Sequence, residues 1–187
     1  MNFKAMISLL SFMFVFSAGL DEVHSKTISK SREILKVGNP LPNALLLQYQ
    51  KGDFRLRETE GKVKIISIVP QLNTPVCDEQ THRFSEDNGG MDQQVQLITI
   101  STNSAEDQAR FAIKARISNM LFLSDRPHFD FGKLTGLLNR DFGFLRRTVI
   151  IADENNVIRY VDFVPGGGMP QIKKALRAAK NIVGEKP

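Results

Sequence analysis

A chain of 187 residues with 42% hydrophobic and 24% charged positions has the composition of a globular protein. It can bury a core without disulfide staples, and its single cysteine excludes an internal disulfide in any case. The net charge of +5 comes from scattered lysines and arginines; without zinc-ligand spacing, aromatic–basic interleaving or a Walker loop, it describes a solvated surface and no nucleic-acid interface.

The opening segment, MNFKAMISLLSFMFVFSAGLDEVHS, has one basic residue, Lys4, and then an apolar run from Ala5 to Phe16. That run is short for a membrane span and typical of a secretory signal. Residues 1–19 are therefore expected to be a signal peptide, with Ser17 and Gly19 at the two positions a peptidase reads. Val23 and Ser25 offer a second cleavage site, and an uncleaved membrane anchor is the alternative. The body of the chain is expected outside the cytoplasm, in the periplasm. Residues 20–36 are polar and aperiodic and read as a linker or loosely docked arm. A single domain is expected over 37–187.

Within that domain, ALLLQY, the turn at Gly52 and FRLRE read as an N-terminal β-hairpin. GKVKIISIVP is nearly continuous in apolar character, as in a strand buried on both faces, and Pro70 stops it. TPVCDEQTHRFSEDNGG reads as a helix, with Thr74 as N-cap, Pro75 in the first turn and Gly89 and Gly90 at its end. QVQLITIS is a second buried strand. SAEDQARFAIKARI is a helix capped by Ser104 with Ala109, Ala112 and Ile113 on its inner face. MLFLSD is a short third strand and DFGKLTGLL a short helix or loop. RRTVIIADENNVIRYVDFV reads as a hairpin turned at Glu154, Asn155 and Asn156. The amphipathic MPQIKKALRAAKNIV closes the chain, with Ile172, Ala175, Leu176, Ala179 and Val183 recurring at helical spacing. The order predicts an α/β domain with antiparallel edges.

The only cysteine, Cys77, falls in the first turn of the helix after the strongest strand. In α/β sheets sites gather at the carboxyl ends of strands, where helix N-termini present N–H groups. A thiolate is favoured there. Thr74 lies three residues earlier, and Pro70 and Pro75 stiffen the loop. His82, five residues on, is off the face of Cys77 and reads as an exposed helix residue. His24 and His128 are isolated, so no metal site is expected. PGGGMP lacks the Lys-Ser/Thr of a phosphate loop and reads as a turn. Phe84, Phe111 and Phe122 read as core.

PQLNTPVC fits the pattern Pro-x-x-x-Thr-x-x-Cys, and with VGNPLP, QLITIS, FLSD and LRRTVIIADENNVIRYVDFVP in order the chain resembles the peroxiredoxins, in particular their thiol peroxidase branch. The resemblance runs from about Lys36 to Lys180. It implies a thioredoxin-like fold of peroxiredoxin type, with a central mixed sheet flanked by helices, and thiol-dependent reduction of hydrogen peroxide or organic hydroperoxides without a cofactor. By the same resemblance Cys77 is the peroxidatic cysteine, Thr74 hydrogen-bonds the peroxide and Pro70 shields the thiolate. Substrate contacts are implied at Thr74, Val76 and Arg147. Arg147 matches the family's distant arginine, with Arg146 the alternative; strand alternation puts the two on opposite faces. The resemblance also suggests a homodimer.

Two departures stand out. The thiol peroxidase branch usually places a resolving cysteine in the next helix, where this chain has Ala112. The oxidised cysteine is then left to an external thiol, either a thioredoxin-like protein or a small thiol. The rival reading is a weakened, peroxiredoxin-like redox sensor or binding protein. Asn73 stands where the family often has aspartate, keeping hydrogen bonding without charge. A general thiol–disulfide oxidoreductase is disfavoured because Cys-x-x-Cys is missing.

Overall fold

The computed structural model describes residues 25–27, 29–59 and 61–184. The expected signal peptide lies outside the described residues. A seven-stranded mixed sheet, in the order β2-β1-β5-β4-β3-β8-β9, carries helices on both faces. Its strands are β1 (Leu45–Gln48), β2 (Gly52–Arg55), β3 (Val63–Ile68), β4 (Val95–Ser101), β5 (Met120–Ser124), β8 (Thr148–Ala152) and β9 (Ile158–Phe163). Two short strands, β6 (Leu138–Asn139) and β7 (Phe144–Leu145), form a separate hairpin that the sequence did not announce.

Strand β3 is buried along its whole length, as its apolar run predicts. It pairs in parallel with β4 and antiparallel with β8. Even Lys64 is buried there, its ammonium donating to the carbonyls of Asp153 at 2.9 Å and Glu154 at 3.3 Å. Side chains of β3 alternate between two cores. Ile66 and Ile68 face one with Leu35, Leu46, Leu123 and Phe131. Val63 and Ile65 face the other with Phe84, Val149, Ile151 and Ile172.

The helices are α2 (Pro75–Glu86), α3 (Ala105–Ala115), α4 (Asp130–Thr135) and α5 (Ile172–Gly184). A further one, α1, precedes them: residues 25–27 and 29–34 are helical, where a linker or loose arm was expected. Ser31 and Leu35 are buried, and Leu35 joins the main core. The aperiodic polar sequence hides this docking because few side chains provide it: Ser31 and Leu35, with Ile34 partly buried against the core. Against Gly136, a Cβ would stand 3.0 Å from Ser31 Oγ, so the missing side chain admits α1.

Other boundaries differ in detail. The return strand of the first hairpin is β2, Gly52–Arg55, and Leu56–Thr59 is a 3-10 turn in place of the expected strand end. Leu56 is buried, and its N–H donates to the Ala44 carbonyl at 3.2 Å, one further rung in register with β1–β2. Helix α2 stops at Glu86, before the two glycines. Helix α3 is capped as expected, Ser104 accepting from the Asp107 N–H at 3.1 Å. Of its expected inner face, Ala109 and Ala112 are half-buried while Ile113 is 79% exposed, and the buried positions are Ala105 and Gln108. Helix α5 buries Ile172, Ala175, Leu176 and Ala179 as its spacing predicts.

Candidate active site

Helix α2 begins at Pro75, six positions after Val69, and the loop between them contains Pro70 and Thr74. Its buried residues are Cys77, Gln80, Thr81 and Phe84, the spacing of one helical face. That face lies on the side of the sheet that carries Val149 and Ile151. Arg147 has the same parity as those two residues and lies on the same side; Arg146 points the other way, donating to the Gly136 carbonyl at 3.2 Å. The choice between the two arginines therefore falls on Arg147.

Cys77 is 1% exposed and Arg147 5% exposed. Arg147 Nη2 lies 3.2 Å from Cys77 Sγ. Its Nη1 donates to Gln80 Oε1 in a short hydrogen bond. Gln80 Nε2 in turn donates to Ser67 Oγ at 2.7 Å, and both Gln80 and Ser67 are fully buried. Arg147 Nε is buried without a hydrogen-bond partner. Val69 and Leu72 pack with the thiol, and Phe111 of α3 and Phe122 of β5 close over the cluster, their rings 6.1 Å apart. Those two phenylalanines are thus part of the wall around Cys77, and Phe84 is core as expected.

The loop ahead of Cys77 is held from the segment that follows β4. Asn103 Oδ1 accepts from the Leu72 N–H at 2.9 Å, and Asn103 Nδ2 donates to Asn73 Oδ1 at 3.1 Å. Asn73, where a charged residue was the expectation of the resemblance, acts here as a neutral acceptor. Thr74 occupies the N-cap position in extended conformation, but its side chain makes no capping bond. Its hydroxyl donates instead to the Gln71 carbonyl at 3.0 Å. Thr74 and Pro70 are half-buried, and Val76 is 36% exposed beside the thiol.

His82 makes no dyad with the cysteine. Its ring nitrogens face Glu86 Oε1 at 3.1 Å and Asp78 Oδ1 at 3.5 Å. Among the described residues no group of three or more His, Cys, Asp or Glu could hold a metal ion. Gln80 and Ser67 were missed from sequence. The signal for Gln80 was available, since it follows Cys77 by three residues on a helix whose buried face includes both.

A family model described as the AhpC/TSA family matches residues 37–161. The thiol peroxidase of Halalkalibacterium halodurans is 33% identical over 147 residues, 78% of this chain and 88% of that protein. The thiol peroxidase of Bacillus subtilis is 33% identical over 150 residues, 80% of this chain and 89% of that protein. Among solved structures, a peroxiredoxin-like protein from Aquifex aeolicus superposes with a TM-score of 0.72 at 28% identity, over 79% of this chain and 87% of that one. A thiol peroxidase from Chromobacterium violaceum, at 21% identity, shares the fold with a TM-score of 0.69 over 78% of this chain and 86% of its own.

Proposed function

Because the chain belongs to the AhpC/TSA family, we infer that it is a thiol-dependent peroxidase that reduces hydroperoxides with Cys77 as the attacking group. Its mixed sheet flanked by helices is the thioredoxin-like peroxiredoxin fold. The observation that carries the inference to individual residues is the approach of Arg147 Nη2 to Cys77 Sγ at 3.2 Å.

The Cys77 thiolate attacks one peroxide oxygen. An S–O bond forms, the O–O bond breaks, and its electron pair leaves with the distal oxygen, which takes a proton to become water or an alcohol. The sulfur is left as a sulfenic acid. Charge moves from sulfur to the departing oxygen, and a fixed guanidinium beside both stabilises it without rearrangement. The partnerless Nε–H of Arg147 supports this role, since a peroxide oxygen would satisfy a buried donor that otherwise has none. Thr74 supplies a second hydrogen bond once its hydroxyl turns from Gln71. Pro70 and Val76 flank the approach.

With alanine at position 112 and no second cysteine in the chain, an external thiol completes the cycle. It attacks the sulfenic sulfur, water leaves, and a second thiol resolves the mixed disulfide. The reductant in this proposal is a thioredoxin-like protein or a small thiol, met in the periplasm to which the N-terminal apolar run directs the chain. A homodimer belongs to the same proposal, on the strength of the resemblance.

One equivalent of hydrogen peroxide or an organic hydroperoxide should add one oxygen to Cys77, read by mass, much faster than it oxidises a free thiol. A rate near that of a free thiol overturns the peroxidase reading. The lack of a second cysteine favours one rival, a redox sensor that reacts once. Rapid stoichiometric oxidation with no turnover on any thiol donor would select it.

A further inference from the structure

Helices α2, α3 and α5 pack on the same side of the sheet, around the core that holds Val149 and Ile151, but they treat charge differently. Helix α2 carries Asp78 in its first turn, and its carboxylates meet cations on the same helix: Asp78 and Glu86 face His82, and Glu79 and Asp87 face Arg83. Helix α3 carries Glu106 and Asp107 in its first turn, and both pair with Arg110. Helix α5 holds no acidic residue. Its Lys173, Lys174, Arg177 and Lys180 are all exposed, on the face turned away from the buried Ile172, Ala175, Leu176 and Ala179. Among the described residues none of the four forms an ion pair. Lys174 lies over the Tyr160 ring at 5.9 Å, and Asp162, at the start of the helix, accepts from the Gln171 N–H at 2.8 Å.

This pattern works against the helix. Lys173 and Lys174 stand at the positive end of its dipole, and Lys173 with Arg177, and Arg177 with Lys180, are like charges at neighbouring positions on its surface. A local cost with no local gain points to something outside the fold that the charge serves. The exposed large hydrophobic residues all lie off α5. A protein partner calls for an apolar centre in the contact, whereas a rigid row of cations about 10 Å long suits a surface that offers charge alone. We propose that the outer face of α5 is a docking surface for the headgroups of anionic phospholipids. The apolar run from Ala5 to Phe16, read as signal or as anchor, brings the chain to a membrane either way. Each lysine or arginine held at such a surface strengthens binding by about fivefold. The proposal stands apart from the peroxidase reading.

The test measures partition of the full chain onto vesicles of phosphatidylcholine and onto vesicles of equal parts phosphatidylcholine and phosphatidylglycerol. The ratio of the two cancels what the N-terminal apolar run adds to both. The parent should favour the anionic vesicles by about a hundredfold, and high salt should shrink the preference. The combined variant Lys173→Gln, Lys174→Gln, Arg177→Gln, Lys180→Gln should lower the ratio by about tenfold or more, and should melt no lower than the parent. Removing the same charge elsewhere, with Lys30→Gln, Lys36→Gln, Lys51→Gln and Lys62→Gln, should lower it by less than about threefold. An equal fall in the two variants makes net charge the cause and overturns the proposal. A parent that does not discriminate between the vesicles overturns it too; binding of a DNA duplex in that case, lost in the α5 variant, would assign the face to nucleic acid. Should the combined variant not fold, Arg177→Gln with Lys180→Gln is set against Lys51→Gln with Lys62→Gln: a larger fall in the first pair supports the proposal, and equal falls overturn it.

Discussion

At Arg147 the length and shape of one side chain matter more than its charge. Two nitrogens of the guanidinium are committed, one to Gln80 and one to Cys77, and the third is buried without a partner. A lysine offers a single compact ammonium and cannot span these directions. Arg147→Lys should therefore lose most of the activity, and Arg147→Ala should cut the peroxide rate by about a hundredfold or more, the scale of losing one preorganised donor to a developing anion. Stopped-flow oxidation of Cys77 checks both, and a loss below about threefold would count against the assigned role. Cys77 and Thr74 stood out in the sequence through the spaced motif, and Arg147 through its match to the family pattern, with strand alternation separating it from Arg146; the structure brings Arg147 beside Cys77. Ser67 did not stand out, because it gains meaning only when α2 is laid on β3, and Gln80 was marked only by its place one helical turn after Cys77.

At the scale of elements, the central strands and α5 were readable from their periodicity, and α1 was not. Its contact with the main core is made by Ile34, partly buried, and by Leu35 in the turn just after it, which is 1% exposed. Periodicity cannot reveal a helix that docks through one or two side chains. The helix is nonetheless expected to matter. Leu35→Ala should lower the free energy of unfolding by roughly 2–5 kcal/mol, the usual range for emptying a buried leucine site. Denaturant unfolding measures it; an unchanged midpoint would mean that α1 is held elsewhere. The outward turn of Ile113 on α3 has a similar cause: the buried position belongs to Gln108, whose amide NH2 reaches Ser101 Oγ at 3.0 Å and the Leu123 carbonyl at 3.1 Å. A buried polar residue is invisible to a search for apolar spacing.

For the molecule as a whole, one buried carboxyl couples stability to pH. Burial pushes Asp125 up to about 7, and the N–H donors of Gly132 and Phe131 only partly offset it. In the unfolded chain an aspartate titrates near about 3.9. Between those two values the native state binds more protons than the unfolded one. The contribution to stability is complete below about pH 4 and is lost as pH rises through about 7. Thermal unfolding should show a midpoint that falls from about pH 4 to about pH 7 and levels off above that, with a span of a few kcal/mol, and Asp125→Asn should flatten it. The same slope in that variant would place the coupling elsewhere.

The 70 positions that separate Cys77 from Arg147 have a consequence for the chain's history as well as for its chemistry. The arginine arrives with β8, which joins the sheet by pairing with β3. Until that long-range pairing closes, Cys77 has no guanidinium beside it and is an ordinary thiol. A nascent chain that ends before residue 147 carries its future nucleophile in a dormant form. On the proposed mechanism, peroxide sensitivity should rise only when that pairing closes, so the rate of Cys77 oxidation during refolding would serve as a clock for completion of the sheet.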